Sequence, residues 1–155
     1  MDFFSLRMKK NDRKDAALSH RSAPVRVRFN ETDSMGVVWH GNYARFIEAG
    51  REDFGTAYGL DYDNVLGHGF YIPIVEMNIK YKHSLTYDDS YVVETSYIPC
   101  AAAKILFEYR IFRACDMLLV AEGSTVQVFQ HKGGELELCN PDFYIEWQKR
   151  WGILP

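Results

Sequence analysis

Apolar and polar positions change their period along this chain, and each change predicts an element. Val25, Val27 and Phe29 alternate with Arg26, Arg28 and Asn30, the period of two expected of a half-buried strand. From Asn42 to Tyr58 the spacing becomes helical. Tyr43, Phe46, Ile47, Gly50, Phe54, Ala57 and Tyr58 share one face, with Arg45, Glu48 and Glu52 opposite. Gly59 follows as a C′ stop. Residues 70–82 read as one extended segment, with Pro73 at an edge or bulge position. Residues 91–98, 104–113 and 117–130 follow as strands, and Ala114-Cys115-Asp116 joins the last two as a hairpin. Lys132-Gly133-Gly134-Glu135 is a turn. Asn140 and Pro141 predict an N-cap and first helical residue, and Phe143, Trp147 and Trp151 predict a short terminal helix.

The order is a strand, a long helix, then strands on short links, which favour antiparallel pairing. The expected fold class is α+β, one antiparallel sheet curled around one central helix, with a short C-terminal helix. The 155 residues suit one domain, and 47% hydrophobic content supplies its core. Residues 1–22 are expected to be a flexible basic extension and 23–155 the domain proper. In the extension Phe3, Phe4 and Leu6 run at once into Arg7, Lys9, Lys10, Arg13 and Lys14, which is not a secretory signal. An anionic partner or membrane surface is the other reading of that tail.

The net charge of −3 argues against a nucleic-acid partner. No run approaches the ~20 apolar residues of a membrane span. Cys100, Cys115 and Cys139 are odd in number and widely spaced, without zinc-ligand spacing. They are expected as free buried thiols in a reducing cytosol, with no metal and no cofactor. There is no GxxxxGK[ST], GxGxxG, HExxH or GxSxG run, so nucleotide hydrolysis, dinucleotide redox, zinc proteolysis and serine-hydrolase chemistry have no support.

The chemistry concentrates between Phe29 and Tyr43. Asp33 and His40 flank a turn containing Gly36, and a helix begins directly afterwards. A helix start presents spare N–H groups that can hold a developing oxyanion. A nearby acid supplies a nucleophile or a general base. The segment reads as an acyl-transfer site. Asp33 also suits a plain turn role, accepting backbone N–H bonds. The His40 side chain suits thioester binding, orientation of the acid or simple packing. Asn42 suits a helix cap or a substrate contact, and Tyr43 suits the core better than catalysis.

Glu31-Thr32-Asp33, Gly36-Val37-Val38-Trp39-His40, Asn42-Tyr43, Phe46, Glu48 and Arg51 together resemble the 4-hydroxybenzoyl-CoA thioesterase family of the hot-dog fold, including the Tol-Pal-type acyl-CoA thioesterases. The resemblance covers about residues 24–130. It implies a long helix wrapped by an antiparallel sheet, a homodimer or homotetramer, and hydrolysis of acyl-CoA at sites between subunits. Asp33 stands at the family's catalytic carboxylate. The backbone amides of His40 and Gly41 stand at its oxyanion hole. Val37, Val38, Trp39, Asn42 and Tyr43 are the expected substrate-binding residues. The acyl-CoA is substrate, not bound cofactor. Lys82-His83-Ser84-Leu85 departs from the family, many members of which carry a Pro there, and Lys80, Lys82 and Lys104 are candidates for coenzyme phosphates. Glu48 and Arg51 are spaced to pair on the helix. A non-catalytic acyl-CoA-binding module and an enoyl-CoA hydratase on the same fold are the alternatives.

Overall fold

The computed structural model describes residues 18–153. Its organising element is helix α1 (Asn42–Tyr58), with the bounds that the helical spacing predicts. Tyr43, Phe46, Ile47 and Phe54 are buried on its inner face. Burying a side chain of that size contributes roughly 2 kcal/mol. Gly59 ends the helix in the left-handed region at φ +74° and donates its N–H to Gly55. Ala57, expected inside, is exposed, because the last turn of α1 has already left the sheet's footprint.

Four more elements of length wrap this helix: β4 (Ile74–Tyr81), β5 (Ser90–Ile98), β6 (Lys104–Arg113) and β7 (Leu118–His131). They pair antiparallel in the order β5–β6–β7–β4. β1 (Leu18–Arg21) and β2 (Val25–Arg26) extend the β5 edge. The short strands β3 (Phe70–Tyr71) and β8 (Leu136–Glu137) pair with the far end of β7. A short helix, α2 (Tyr62–Gly67), precedes β3. This is the hot-dog fold.

The sheet's inner rows explain how closely α1 can approach. Val93 is paired with Ile111, Thr95 with Tyr109, and Tyr97 with Phe107. A Cβ at Gly50 would collide with Val93, so glycine is what lets the helix backbone sit on β5. Phe46 stacks on Tyr91 at 4.1 Å, and Phe54 meets Phe107 edge-on at 5.1 Å. At the other end, α3 (Asp142–Arg150) closes the core. The indole N–H groups of Trp147 and Trp151 both donate to the Tyr58 carbonyl, at 2.7 and 3.0 Å, and so occupy an orphan acceptor of α1. The Tyr97 and Tyr144 hydroxyls share a buried hydrogen bond of 2.5 Å.

Several expectations are corrected. The expected strand over 25–30 lasts only through Arg26; Val25 is exposed and Phe29 lies in a 3₁₀ turn, Phe29–Glu31, at 77% exposure. Only Val27 of that alternation is buried, where its N–H reaches the Asp89 carbonyl and the chain turns away from the edge. The sheet starts earlier than the expected boundary, since Leu18–Arg21 is a strand. The rest of that extension, residues 1–17, lies outside the described residues. The segment 70–82 splits at Ile72-Pro73, and a register shift follows between Ile74 and Glu76. Pro141, not Asn140, holds the cap position of α3. Cys115 and Cys139 are exposed and Cys100 is half-buried; all three are free.

Candidate active site

Residues 31–39 form a small two-legged loop ahead of α1. Thr32 and Val38 bridge antiparallel, and the Asp33 N–H donates to the Val37 carbonyl at 2.8 Å. Gly36, at φ +77°, lets the legs turn back, and its N–H donates to the Asp33 carbonyl. The outer leg is tied to the sheet: Val37 bridges Thr86, and the Val38 N–H donates to the Leu85 carbonyl at 2.8 Å. Sequence-distant strands thus hold the loop that carries the acid.

Asp33 is half-buried at the end of one leg. Its Oδ1 accepts the Met35 N–H at 2.9 Å, the local turn role that an aspartate performs anywhere. Oδ2 has no partner among the described residues. One oxygen holds the loop and the other is open.

The second leg runs into the helix start. The Glu31 carbonyl accepts both the Trp39 N–H, at 2.9 Å, and the Asn42 side-chain amide, at 2.8 Å. Asn42 is the first helical residue, buried, and does not cap; Gly41 holds the cap position without any side-chain bond. Asn42 instead locks the loop to the helix. The N–H groups of His40 and Gly41 donate to no backbone carbonyl among the described residues. The Trp39 indole lies over Gly41 so closely that a Cβ there would run into the ring.

Aromatic rings surround this helix start. Trp39 and His40 are exposed with ring centroids 5.1 Å apart. His40 meets Tyr81 at 6.4 Å, and Tyr81 meets Tyr43 edge-on at 5.2 Å. Tyr81, at the end of β4, donates its hydroxyl to the His40 carbonyl at 2.9 Å. Sequence reasoning missed Tyr81 as a site residue; it lies 41 positions away, and only the packing of β4 against α1 brings it there. Of the expected substrate-binding residues, Trp39 is exposed and Val37 half-buried, whereas Val38, Asn42 and Tyr43 lie behind them in the core. Burial raises the Tyr43 hydroxyl above its ordinary value, so it remains protonated.

Glu48 and Arg51 form the expected ion pair on α1. They border a cleft of about 510 Å³ with Glu52, Tyr71, Ile72 and Phe107. Asp33 does not line it. Of the lysines considered for coenzyme phosphates, Lys104 is buried, Lys82 pairs with Glu122 at 3.7 Å, and Lys80 is exposed on the strand. Among the described residues, no group of three or more His, Cys, Asp or Glu is arranged to hold a metal ion. No described helix is long and apolar enough to cross a membrane.

Residues 27–143 match the Thioesterase-like superfamily. The chain belongs to that superfamily. An acyl-CoA thioesterase of Haemophilus influenzae is 34% identical over 98 residues, covering 63% of this chain and 72% of that protein. The DHNA-CoA thioesterase of Staphylococcus aureus superposes with a TM-score of 0.76 at 27% identity, covering 86% of this chain and 89% of its own. The 4-hydroxybenzoyl-CoA thioesterase of a Pseudomonas strain does so with 0.72 at 27%, covering 83% and 98%. For this superfamily member, the resemblance carried by residues 29–51 and the curled sheet agree on one fold.

Proposed function

We propose that the protein hydrolyses acyl-CoA to a free acid and CoA, with Asp33 as nucleophile or general base and the His40 and Gly41 amides as the oxyanion hole. Its enzyme class is that of the superfamily, a thioester hydrolase. The observation that carries the mechanism is the pairing of an unbonded Asp33 Oδ2 with unbonded N–H groups at the far end of the same locked loop.

The chemistry asks little of an acid catalyst. The leaving thiol is weakly basic, with a pKa near 8.5 for a simple thiol. It departs as thiolate once the carbonyl has been attacked. On the nucleophilic route, a carboxylate oxygen of Asp33 adds to the carbonyl carbon and the C–S bond breaks. Water then cleaves the mixed anhydride, restoring Asp33 and releasing the acid. On the base route, Asp33 takes a proton from water as its oxygen adds. Both routes place negative charge on the carbonyl oxygen, which the two amides receive. Loss of one such donor typically costs about a hundred- to a thousandfold in rate.

Trp39 and Val37 supply exposed apolar surface for the acyl group, and a second copy of the chain, in a dimer or tetramer, completes the pocket wall. The half-buried and exposed free thiols suit a reducing, cytoplasmic setting. Asp33→Asn keeps an Oδ1 acceptor for Met35 and is expected to abolish turnover across aromatic, short and long acyl-CoA substrates, with fold and oligomer unchanged. Normal hydrolysis by that variant overturns the mechanism. Saturable acyl-CoA binding without hydrolysis by the wild type favours a binding module, and hydration of enoyl-CoA favours a hydratase. Single turnover in heavy-oxygen water separates the routes, because only the nucleophilic one labels Asp33.

A further inference from the structure

Beside the Asp33 loop lies a second, shallower cleft of about 490 Å³, lined by Val25, Arg26, Val27, Arg28, Phe29 and Tyr87. Its aromatic rings are held out in solvent. Phe29 is 77% exposed and Tyr87 45%, and they meet edge-on with centroids 6.0 Å apart. Its cations are uncommitted. The Arg26 guanidinium lies 5.9 Å from the Tyr87 ring centroid. Neither Arg26 nor Arg28 has a carboxylate partner among the described residues, whereas Arg21, Arg110 and Arg113 are each paired. The acids nearest in sequence are already engaged: a Glu31 oxygen accepts the Arg28 N–H at 2.7 Å, and Asp89 accepts the Thr86 N–H at 2.8 Å and its hydroxyl at 3.2 Å.

The cleft is built from the same two segments as the candidate active site. Phe29 opens the turn that leads to Asp33, and the Thr32 hydroxyl donates to the Phe29 carbonyl at 2.7 Å. Tyr87 follows Thr86, which bridges Val37. Four residues separate Phe29 from Asp33, a span of at most about 14 Å. A flexible pantetheine arm covers such a distance.

Two guanidinium groups free of acids are a bidentate receptor for phosphates. An exposed aromatic face stacks on a nucleobase without needing its hydrogen-bonding edge. Both occur in one cleft, one short loop from the acid. Building on the thioesterase reading, we propose that this cleft takes the nucleotide end of the coenzyme, with Arg26 and Arg28 on its phosphates and the Phe29–Tyr87 pair against its adenine. The lysines on β4 and β6 then have no part in coenzyme binding.

Calorimetric titration of the full chain with CoA, adenosine 3′,5′-bisphosphate and pantetheine tests this without needing turnover. CoA and the bisphosphate are expected to bind, more weakly as salt rises. Arg26→Gln/Arg28→Gln is expected to weaken both by about a hundredfold, roughly tenfold per lost charge-assisted contact. Tyr87→Leu should weaken both by about tenfold, roughly the loss of one stacked base. In assays, the double variant should raise KM for acyl-CoA while kcat holds, shrinking its preference over a truncated acyl-pantetheine thioester at least tenfold. Unchanged CoA affinity in a folded double variant overturns the assignment, as does equal affinity of wild type for CoA and pantetheine. So does a double variant that keeps CoA affinity but loses turnover of an acyl-carrier-protein thioester, which would make the cleft a carrier-docking face. Asp33→Asn should bind CoA like the wild type, so loss of the catalytic reading leaves this one standing and separately testable.

Discussion

The Tyr81 hydroxyl donates to the His40 carbonyl at 2.9 Å and so ties the last residue of β4 to the residue just before α1. The peptide that would receive an oxyanion is therefore positioned by the sheet as well as by its own helix. Tyr81→Phe removes that bond and keeps the ring. Because the hydroxyl is near solvent, the stability loss should be about 1 kcal/mol or less. Turnover should fall more visibly, by about three- to tenfold, as the amide loses its fixed aim. Steady-state kinetics beside a urea titration checks both.

Gly41 is glycine because the Trp39 indole occupies the place of a Cβ. Gly41→Ala should displace the indole, costing roughly 1–3 kcal/mol as overpacking. It should also lower kcat at least about tenfold, since the Gly41 amide moves with the ring. A shifted tryptophan emission spectrum together with the rate loss would mark displacement; an unmoved spectrum with full activity would refute it.

Asn42 is buried, with its side-chain amide on the Glu31 carbonyl. Asn42→Ala leaves that carbonyl only the Trp39 N–H and opens a small void. The expected loss is about 1–3 kcal/mol, with Asn42→Asp at least as harmful, because a carboxylate cannot donate. Thermal unfolding of the three proteins at neutral pH measures the order.

Acid sensitivity should centre on Glu94. Burial pushes its carboxyl up, but hydrogen bonds and charge from Arg21 and Arg110 together outweigh this and hold it below the usual 4.5. A carboxyl depressed in the folded state contributes stability above its unfolded value and loses it as pH falls through the folded one. The wild-type urea midpoint should therefore drop as pH falls from about 5 to 3. Glu94→Gln should start about 1 kcal/mol lower at pH 7 and show a shallower drop. Equal pH slopes for both proteins would exclude Glu94 as the sensor.

Local periodicity determined the elements that carry the fold. The run from Asn42 to Tyr58 is helical in the structure with those bounds, because its apolar stripe suits no other period. Lys104–Arg113 is likewise a strand as spaced. The Asp33–Gly36 turn and the helix start were also legible, since a positive φ and an open helix end depend on neighbours in sequence. Tertiary structure decided the rest. Phe29 alternates like a core residue but faces solvent, because the sheet edge ends before it; no nearest-neighbour pattern contains that information. Asn42 reads as a cap and serves as a tether, because the acceptor it meets is 11 residues upstream. Tyr81 and Tyr87 enter the two clefts only once β4 and the turn after Leu85 have packed beside the loop. Spacing along the chain sets what each segment can become, whereas contacts closed across the sheet set which side chains end up facing one another.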